Sequence, residues 1–251
     1  MSKNLIVRFA GEGGQGVVTA SEGLAQAAAQ VGYHVQTFST FPSQIKGGPT
    51  LGQTRLSTSP ILSAGDGLDV LVALDEYAYE YNKDELFDDG LIVYNSKEFT
   101  LDLPNAIGFD VDELARSTGN ALSANMVMIG AVAGLANMPA KYFSEFITKR
   151  FDRGRENDQA IIEANIKALT LGIDAVKDST QTLSEIDPPV DTDVDRVLIK
   201  GFEAACLGAL AADLDVFIGY PISPATTMLT FMQANLIGDN KHVGQASSEI
   251  E

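Results

Sequence analysis

Cysteine and histidine are nearly absent from this chain of 251 residues, which contains one cysteine, Cys206, and two histidines, His34 and His242. A single thiol cannot form an internal disulfide, and it cannot hold a four-cysteine iron–sulfur cluster. The histidines lie far apart in the sequence, so no His/Cys metal site is predicted. Cys206 lies in an apolar stretch of small residues, where we expect it to be buried as a small hydrophobic side chain.

Positive charge is also scarce. The chain has 17 lysines and arginines against 34 aspartates and glutamates, which gives a formal net charge of −17 and a pI of about 4.4. Such a surface repels phosphate backbones, so nucleic acid is not expected as a partner. The excess of acid is typical of a protein that stays in solution.

A long apolar run is missing as well. No stretch reaches the ~18 residues that a membrane helix requires, and the first four residues lead into an apolar segment without the features of a signal peptide. Hydrophobic residues make up 45% of the chain and the mean hydropathy is near zero, which is typical of a globular protein. We therefore expect a cytoplasmic protein with no membrane partner.

Strand-like and helix-like segments alternate over the first 180 residues. Apolar runs predict strands at Leu5–Phe9, Tyr33–Phe38, Asp69–Asp75 and Leu91–Asn95, and a loop over Pro42–Gly52 precedes a further strand-like segment, Arg55–Ser57. Helical patterns cover Val17–Val31, Ser123–Asn137, Ala140–Phe151 and Asn157–Val176. This alternation predicts an α/β fold with helices layered on a mostly parallel sheet.

Residues 181–195 interrupt this alternation. Asp187-Pro188-Pro189 and the aspartates after it make the segment acidic and stiff, which is typical of a linker. The sequence therefore predicts a first domain over 1–180, a linker over 181–195 and a second segment over 196–251. That segment has a predicted strand, Val216–Gly219, between two predicted helices. Its roughly 55 residues are marginal for an independent core, so we expect the incomplete beginning of another α/β domain.

A glycine-rich loop follows the first predicted strand. Gly11, Gly13 and Gly16 form a G-x-G-x-x-G pattern that includes Gly14, and such glycines let backbone N–H groups approach an anion at a helix N-terminus. A dinucleotide site would also need an acid at the end of the second strand, about 20 residues on, and the residues from Phe38 to Phe41 include none. Two hypotheses stay open, a cofactor-binding loop and a tight turn for close packing. A nucleotide-binding dehydrogenase is an alternative that depends on this loop alone.

Four motifs lie in the first domain: Gly11–Val17, Phe41–Thr50, Asp69–Asp75 and Asn125–Gly130. Together, in order and spacing, they resemble the gamma subunit or domain of the 2-oxoacid:ferredoxin oxidoreductases. Two later motifs, Gly201–Ala209 and Gly219–Pro224, look like the opening of the alpha subunit's pyrimidine-binding domain. The family often has Asn at the position of Phe202 and Thr at that of Ser223. A gamma-type domain fused ahead of an alpha-type domain resembles the alpha chain of 2-oxoglutarate-type enzymes.

The resemblance implies a reaction and its cofactors. The reaction is the CoA-dependent oxidative decarboxylation of a 2-oxoacid, of the 2-oxoglutarate or pyruvate type, to an acyl-CoA and CO2 with reduction of ferredoxin. It uses thiamine diphosphate, shared with a partner subunit, and coenzyme A as co-substrate. A beta subunit would hold the iron–sulfur cluster and the diphosphate half of the thiamine site, because this chain lacks the cysteines. The alternative is a gamma-type assembly module without chemistry of its own.

Candidate catalytic residues follow from the same resemblance. Ser223, with Tyr220 and Pro221, would bind the carboxylate or keto oxygen of the substrate. From the sequence alone, the N-cap of the helix that follows is the favoured role of Ser223, and the resemblance favours the substrate contact instead. Glu249 is the candidate for the acid that bonds the thiamine aminopyrimidine, although the family's glutamate aligns with Ser247 and Glu249 aligns with a second acid.

Candidate cofactor-binding residues lie in two loops of the first domain. Gly11, Gly13, Gly14 and Gly16 of the glycine loop are candidates, and by resemblance the loop with Lys46, Gly47 and Gly48 faces the active site, where Lys46 suits the phosphates of coenzyme A. The alternative for the second loop is a solvent-exposed surface loop.

Three arginines, Arg150, Arg153 and Arg155, form a small basic cluster in this acidic chain. Most such clusters are solvated faces. A docking surface or a contact to a CoA phosphate is the alternative.

Overall fold

The first strand illustrates how the apolar runs of this sequence fold. β1 (Asn4–Glu12) includes the predicted segment Leu5–Phe9, and its residues 5–11 are buried. Successive side chains contact two different apolar clusters, one through Leu5, Val7 and Phe9 and the other through Ile6 and Ala10. Because a strand's side chains alternate between faces, β1 lies inside a sheet that is covered on both sides.

The computed structural model describes residues 4–40, 48–181, 183, 186–189, 197–222 and 225–250. The chain divides into two units, Met1–Val194 and Asp195–Glu251. Within the described ranges, no helix is both long enough and apolar enough to cross a membrane.

Six strands form the sheet of the first unit. After β1 come β2 (His34–Thr40), β3 (Pro49–Ser57), β4 (Leu68–Ala73), β5 (Leu86–Asn95) and β6 (Ala106–Phe109), and the spatial order is β2-β3-β1-β4-β5-β6. The pairs β1–β4, β4–β5 and β5–β6 are parallel, whereas β3 runs antiparallel to both of its neighbours, β1 and β2. The predicted α/β class with a mostly parallel sheet is confirmed.

The predicted loop over Pro42–Gly52 is wrong at its end, because β3 already begins at Pro49. Gly52 lies within this buried strand, and a Cβ added there would come within 2.9 Å of the Ser21 side chain on the helix above it. The glycine that suggests a loop is therefore present for close packing between strand and helix.

Helices cover the two faces of the sheet unequally. One face packs against α1 (Val17–Gln30), α3 (Val111–Ser117), α4 (Ala124–Leu135), α5 (Lys141–Phe151) and α6 (Asp158–Ala175) in the larger apolar cluster. The other face packs against α2 (Glu76–Asn82), which contributes Ala78 to a smaller cluster.

Helix α4 is the buried centre of the larger cluster. Its residues 126–133 are all buried, so it is apolar on every side. Helix α6 crosses it so closely that a Cβ on Gly130 would collide with the carbonyl group of Leu169, and a Cβ on Gly172 would collide with the carbonyl group of Val127. The two backbones thus touch directly, which only glycine permits at these two positions.

Substitution of Gly130 by alanine tests this contact. The added methyl group meets backbone rather than a movable side chain, so we expect the free energy of unfolding to fall by about 2–3 kcal/mol, at the upper end for overpacking. Urea denaturation followed by circular dichroism measures the change.

Gly208→Ala is the matched control. Gly208 also lies inside a helix, but a Cβ there has no neighbour within 4 Å, so alanine should stabilise by up to ~1 kcal/mol. An unfolding midpoint that Gly130→Ala leaves unchanged would contradict the close crossing of α4 and α6.

A buried arginine joins β1 to its surroundings on the smaller face. Arg8 is only 4% exposed. Its guanidinium donates to the side-chain oxygen of Gln53 on β3, to that of Asn82 at the end of α2, and to both carboxylate oxygens of Glu85, at 2.7 to 3.0 Å. These hydrogen bonds lower the pKa of Glu85 below its ordinary value. Arg8 is therefore a buried charge with its hydrogen-bonding capacity used, as burial requires.

Part of the predicted linker packs on the first unit. Leu183 and Ile186 contact the larger apolar cluster, and the Tyr33 hydroxyl donates to the carbonyl oxygen of Asp187 at 3.1 Å. Burial is the main cause that raises the pKa of Tyr33 to about 12.

The second unit contains α7 (Gly201–Ala211), β7 (Val216–Gly219), α8 (Thr226–Asn235) and β8 (His242–Gln245), and its two strands are parallel. Cys206 is 1% exposed and packs with Met232 and Leu236, so its predicted burial is confirmed. Burial raises the pKa of this thiol.

Candidate functional site at the carboxyl ends of the strands

The connections of the first sheet create a crevice. β1 is followed by α1, on the face of the larger cluster, whereas the adjacent parallel strand β4 is followed by α2, on the opposite face. Where neighbouring strands send their connections to opposite faces, a crevice opens at their carboxyl ends, and ligands of α/β proteins bind there. The glycine loop forms one wall of this crevice.

The glycine loop is a tight turn with two left-handed residues. Gly14 has φ 101° and Gly16 has φ 83°, values that favour glycine. The turn is closed by Gln15, whose side-chain oxygen accepts from the Glu12 N–H at 2.7 Å. Gly16 is the N-cap residue of α1, so the first N–H groups of this 14-residue helix point toward the crevice end of the sheet.

Two predicted loops meet at this turn. The N–H of Gly13 donates to the carbonyl oxygen of Gly48 at 3.2 Å. Gly11, by contrast, is buried at the end of β1, where a Cβ would lie 3.1 Å from the Cβ of Leu74. The tight-turn hypothesis thus suits Gly11, and an anion-binding role stays open for Gly13, Gly14 and Gly16. Lys46 and Gly47 lie outside the described residues.

The crevice has a volume of about 260 Å³. Besides the glycine turn, it is lined by Leu74, Asn95, Glu98, Val111, Asp112, Ala121, Leu122, Ala124 and Asn125. Lys97 donates to Asp112 at 2.9 Å, which lowers the pKa of that carboxyl. The wall opposite the backbone N–H groups therefore presents carboxylates, which accept hydrogen bonds, and amides, which both accept and donate them.

Sequence reasoning did not find this opposite wall. Asn95 fixes its geometry, because its side-chain oxygen accepts from the Val111 N–H at 3.2 Å and so ties the end of β5 to the start of α3. Asn125 was part of a motif of the family that the sequence resembles. Its position at the start of an otherwise apolar helix is the one sequence feature that indicated a place in the site. Asn95 and Glu98 belong to the turn that ends β5 and Asp112 to the first turn of α3, and the parallel pairing of β5 with β6 brings these two turns together.

In the second unit, two predicted segments follow adjacent strand ends. β7 ends at Gly219 beside Gln245, the end of β8, and the Ala246 N–H donates to the Gly219 carbonyl oxygen at 3.0 Å. Tyr220 and Pro221 therefore begin at the same edge as the turn that contains Glu249, whose side chain is exposed.

Ser223 itself lies outside the described residues. Helix α8 begins at Thr226, and its N-cap residue is Ala225. The alternative role of Ser223 as the N-cap of this helix does not match the observed N-cap residue, Ala225.

In the part of the chain that the structure describes, no group of three His, Cys, Asp or Glu residues is arranged to hold a metal ion. The fold and the crevice together define an α/β protein with a crevice, the candidate ligand site, at a strand switch point.

Comparison with known proteins gives the family. Residues 6–175 match the protein family described as pyruvate ferredoxin/flavodoxin oxidoreductase, and the chain belongs to this family. The predicted resemblance to the 2-oxoacid:ferredoxin oxidoreductases is confirmed.

Three proteins show the extent of the similarity. A solved structure of 2-oxoglutarate:ferredoxin oxidoreductase from Magnetococcus marinus, with 2-oxoglutarate, coenzyme A and succinyl-CoA bound, aligns with 100% of this chain and 44% of its own, at 30% identity and a TM-score of 0.81. Ketoisovalerate oxidoreductase subunit VorA of Methanothermobacter thermautotrophicus is 33% identical over 180 residues, which are 70% of this chain and 37% of VorA. Pyruvate synthase subunit PorC of Thermotoga maritima is 30% identical over 183 residues, 68% of this chain and 94% of PorC. The chain thus spans less than half the length of the first two proteins.

The strand order gives a test of dinucleotide binding at the glycine loop. In a dinucleotide-binding fold the second strand lies next to the first and its end supplies the acid for the ribose. Here β3 separates β2 from β1, and β2 ends without an acid. We therefore expect calorimetry to detect no binding of NAD or FAD that depends on the glycine loop. Micromolar affinity that is lost in Gly13→Val would contradict this account of the loop.

Proposed function

We propose that this chain is part of a subunit that catalyses, with a partner subunit, the CoA-dependent oxidative decarboxylation of a 2-oxoacid. The products are an acyl-CoA and CO2, and the electrons pass to ferredoxin. The substrate is of the 2-oxoglutarate or pyruvate type.

One observation supports this proposal above the others. The Magnetococcus marinus enzyme, a 2-oxoglutarate:ferredoxin oxidoreductase with its 2-oxoacid, coenzyme A and acyl-CoA product bound, aligns with all of this chain at a TM-score of 0.81. A likeness that includes both units favours a catalytic subunit over an isolated gamma-type domain.

The second unit is suited to the thiamine half of the reaction. Thiamine diphosphate, when bound, supplies the chemistry that cleaves the bond to the substrate's carboxyl group. Tyr220 and Glu249 follow the ends of two adjacent parallel strands, and the Glu249 carboxylate is exposed and able to accept an N–H from an aminopyrimidine. Ser223, which follows Tyr220-Pro221-Ile222 and precedes Pro224, would orient the 2-oxoacid through its hydroxyl.

The iron–sulfur cluster does not fit this chain. Its single thiol, Cys206, is buried in the second unit, and a cluster needs several accessible thiolates. The cluster therefore belongs to a beta-type partner, which would also complete the thiamine site and transfer electrons to ferredoxin.

The first unit is suited to coenzyme A. The glycine turn offers backbone N–H groups at a helix N-terminus, which bind phosphate oxygens, and Gly48 joins the neighbouring loop with Lys46 to it. In this role Gly13, Gly14, Gly16, Lys46, Gly47 and Gly48 hold and orient the co-substrate.

A second candidate function is favoured by the match to PorC. The similarity covers 94% of that separate subunit. In this alternative the gamma-type unit only supports assembly, and the chemistry belongs to the other chains.

Ser223 provides the sharpest test of the catalytic proposal. In the enzyme assembled with its beta-type partner, Ser223→Ala should lower kcat/KM for the 2-oxoacid by roughly tenfold or more, because one hydrogen bond to the substrate is lost. Ser223→Thr should retain activity, since it keeps the hydroxyl. Rates of acceptor reduction and melting temperatures are measured on the same samples.

The wild-type chain without a partner is the control and should show no turnover. A lower melting temperature with normal kinetics in Ser223→Ala would remove the residue from the substrate site. No turnover by the complete assembly with any 2-oxoacid would overturn the proposed function.

A further inference from the structure

We propose that the first unit binds a phosphorylated ligand of nucleotide size in a second cleft, the arginine cleft, through Arg150, Arg153 and Arg155. The cleft has a volume of about 560 Å³ and lies between the end of α5, the start of α6 and the turn before α4. Volumes of this size are usual for small-molecule sites. The crevice at the glycine turn is a different space, although Leu122 and Asn125 line both.

The charges of the three guanidinium groups are only partly balanced by the chain: the Asp158 carboxylate lines the same cleft, and the backbone N–H of Arg155 and, more weakly, the charges of Arg153 and Arg155 lower its pKa. Within the described residues, none of them forms an ion pair with a carboxylate, whereas the neighbouring Lys149 does so with Glu145. This contrast matters in a chain with twice as many acidic as basic residues. Three unpaired arginines in one cleft favour an anion with more than one negative charge, and the guanidinium fork matches phosphate oxygens in pairs.

The loop between α5 and α6 is held in place by a buried carboxylate. Asp158, 6% exposed, accepts the backbone N–H of Arg153 at 2.5 Å and that of Arg155 at 2.9 Å. Gly154, between the two arginines, has φ 73°, which lets the loop turn there. Because Asp158 is occupied by backbone donors rather than by the guanidinium groups, both arginine side chains stay available for a ligand.

Arg150 approaches the cleft from the last turn of α5. It is half-buried, and its guanidinium carbon lies 6.0 Å from the centre of the Phe151 ring. Contact with an aromatic face limits the positions of an arginine side chain and leaves its N–H groups free to bind.

The remainder of the lining suits the uncharged part of a nucleotide. Apolar contacts come from Leu122, Phe151 and Ile161, and hydrogen-bonding groups come from Thr19, Asn120 and Asn157. A flat heterocycle with a sugar needs such a mixture of apolar surface and a few polar groups.

Two ligands combine phosphates with a sugar and a flat heterocycle. One is a free nucleoside diphosphate. The other is the phosphorylated adenosine end of coenzyme A, an assignment that rests on the proposed function. The probes that separate them are ADP, adenosine, coenzyme A and dephospho-coenzyme A, titrated by calorimetry into the chain at low salt.

The informative variant is Arg153→Ala with Arg155→Ala. Its matched control is Lys149→Ala with Lys177→Ala, which removes the same charge from exposed positions outside the cleft. We expect the Kd of ADP or coenzyme A to rise roughly tenfold or more in the arginine variant and to change less than about twofold in the lysine control. Adenosine should bind much more weakly than ADP. Melting temperatures show whether both variants fold.

The pattern of probes identifies the source. A higher affinity for coenzyme A than for dephospho-coenzyme A assigns the cleft to the CoA 3′-phosphate, whereas binding of ADP without competition by coenzyme A assigns it to a nucleotide.

Equal weakening in both double variants overturns the proposal, because it indicates only general charge. No phosphate binding, with loss of partner association in the arginine variant alone, also overturns it and indicates a docking surface. These readouts do not require turnover, so their failure is distinct from failure of the proposed function.

Discussion

The direct contact between the backbones of α4 and α6 is the constraint on which both clefts of the first unit depend. Gly130 and Gly172 allow this contact, and the apolar surface of α4 is buried on every side as a result. The start of α4 brings Asn125 to the wall that the two clefts share. The start of α6 brings Asp158 under the arginine loop. A shift of one helix against the other would displace both sites together.

The two units provide different chemical groups. The first offers backbone N–H groups and arginines, both suited to phosphate, although the chain as a whole has a net charge of −17. The second has Tyr220 and the exposed carboxylate of Glu249 after the ends of two adjacent strands, and this carboxylate is suited to accept a hydrogen bond from an N–H group. Neither supplies ligands for a metal cluster within the described residues. In the proposed enzyme this chain therefore positions the co-substrate and the 2-oxoacid, and a partner conducts the electrons.

A continuous apolar run or a helical period explains which elements could be predicted. β1, β4 and the helices α4, α5 and α6 have long apolar runs or helical periods, and the sequence indicated each of them. The short elements α2, α3, β6 and β8 were missed because they have neither a continuous apolar run nor enough residues for a period, whereas the equally short β4 and β7 were indicated by their continuous apolar runs. The starts of α2 and α3 do have a local sequence feature, since Asp75 and Asp110 accept the N–H groups of Ala78 and Glu113 as N-caps.

The site could be predicted only where its residues are close together in the sequence. The glycine turn lies within six residues, so the sequence showed it, whereas Asn95, Glu98 and Asp112 approach it only because β4, β5 and β6 are parallel neighbours. The three arginines were visible as a cluster, but the cleft that they line also needs Thr19 of α1 and Ile161 of α6. The first part of β3 was predicted as loop as far as Gly52 and its last three residues as strand-like, whereas the helix α1 packed over Gly52 requires that glycine within the strand.

Product analysis of the assembled enzyme decides whether it catalyses the CoA-dependent oxidative decarboxylation of a 2-oxoacid. The complex of the subunit that contains this chain with its beta-type partner is given 2-oxoglutarate or pyruvate, coenzyme A and oxidised ferredoxin. The acyl-CoA is identified by mass spectrometry, and CO2 and reduced ferredoxin are measured. We expect all three products to form together, and we expect omission of coenzyme A to prevent formation of the acyl-CoA. Reduction of ferredoxin without acyl-CoA, or no reaction with any 2-oxoacid, would contradict it.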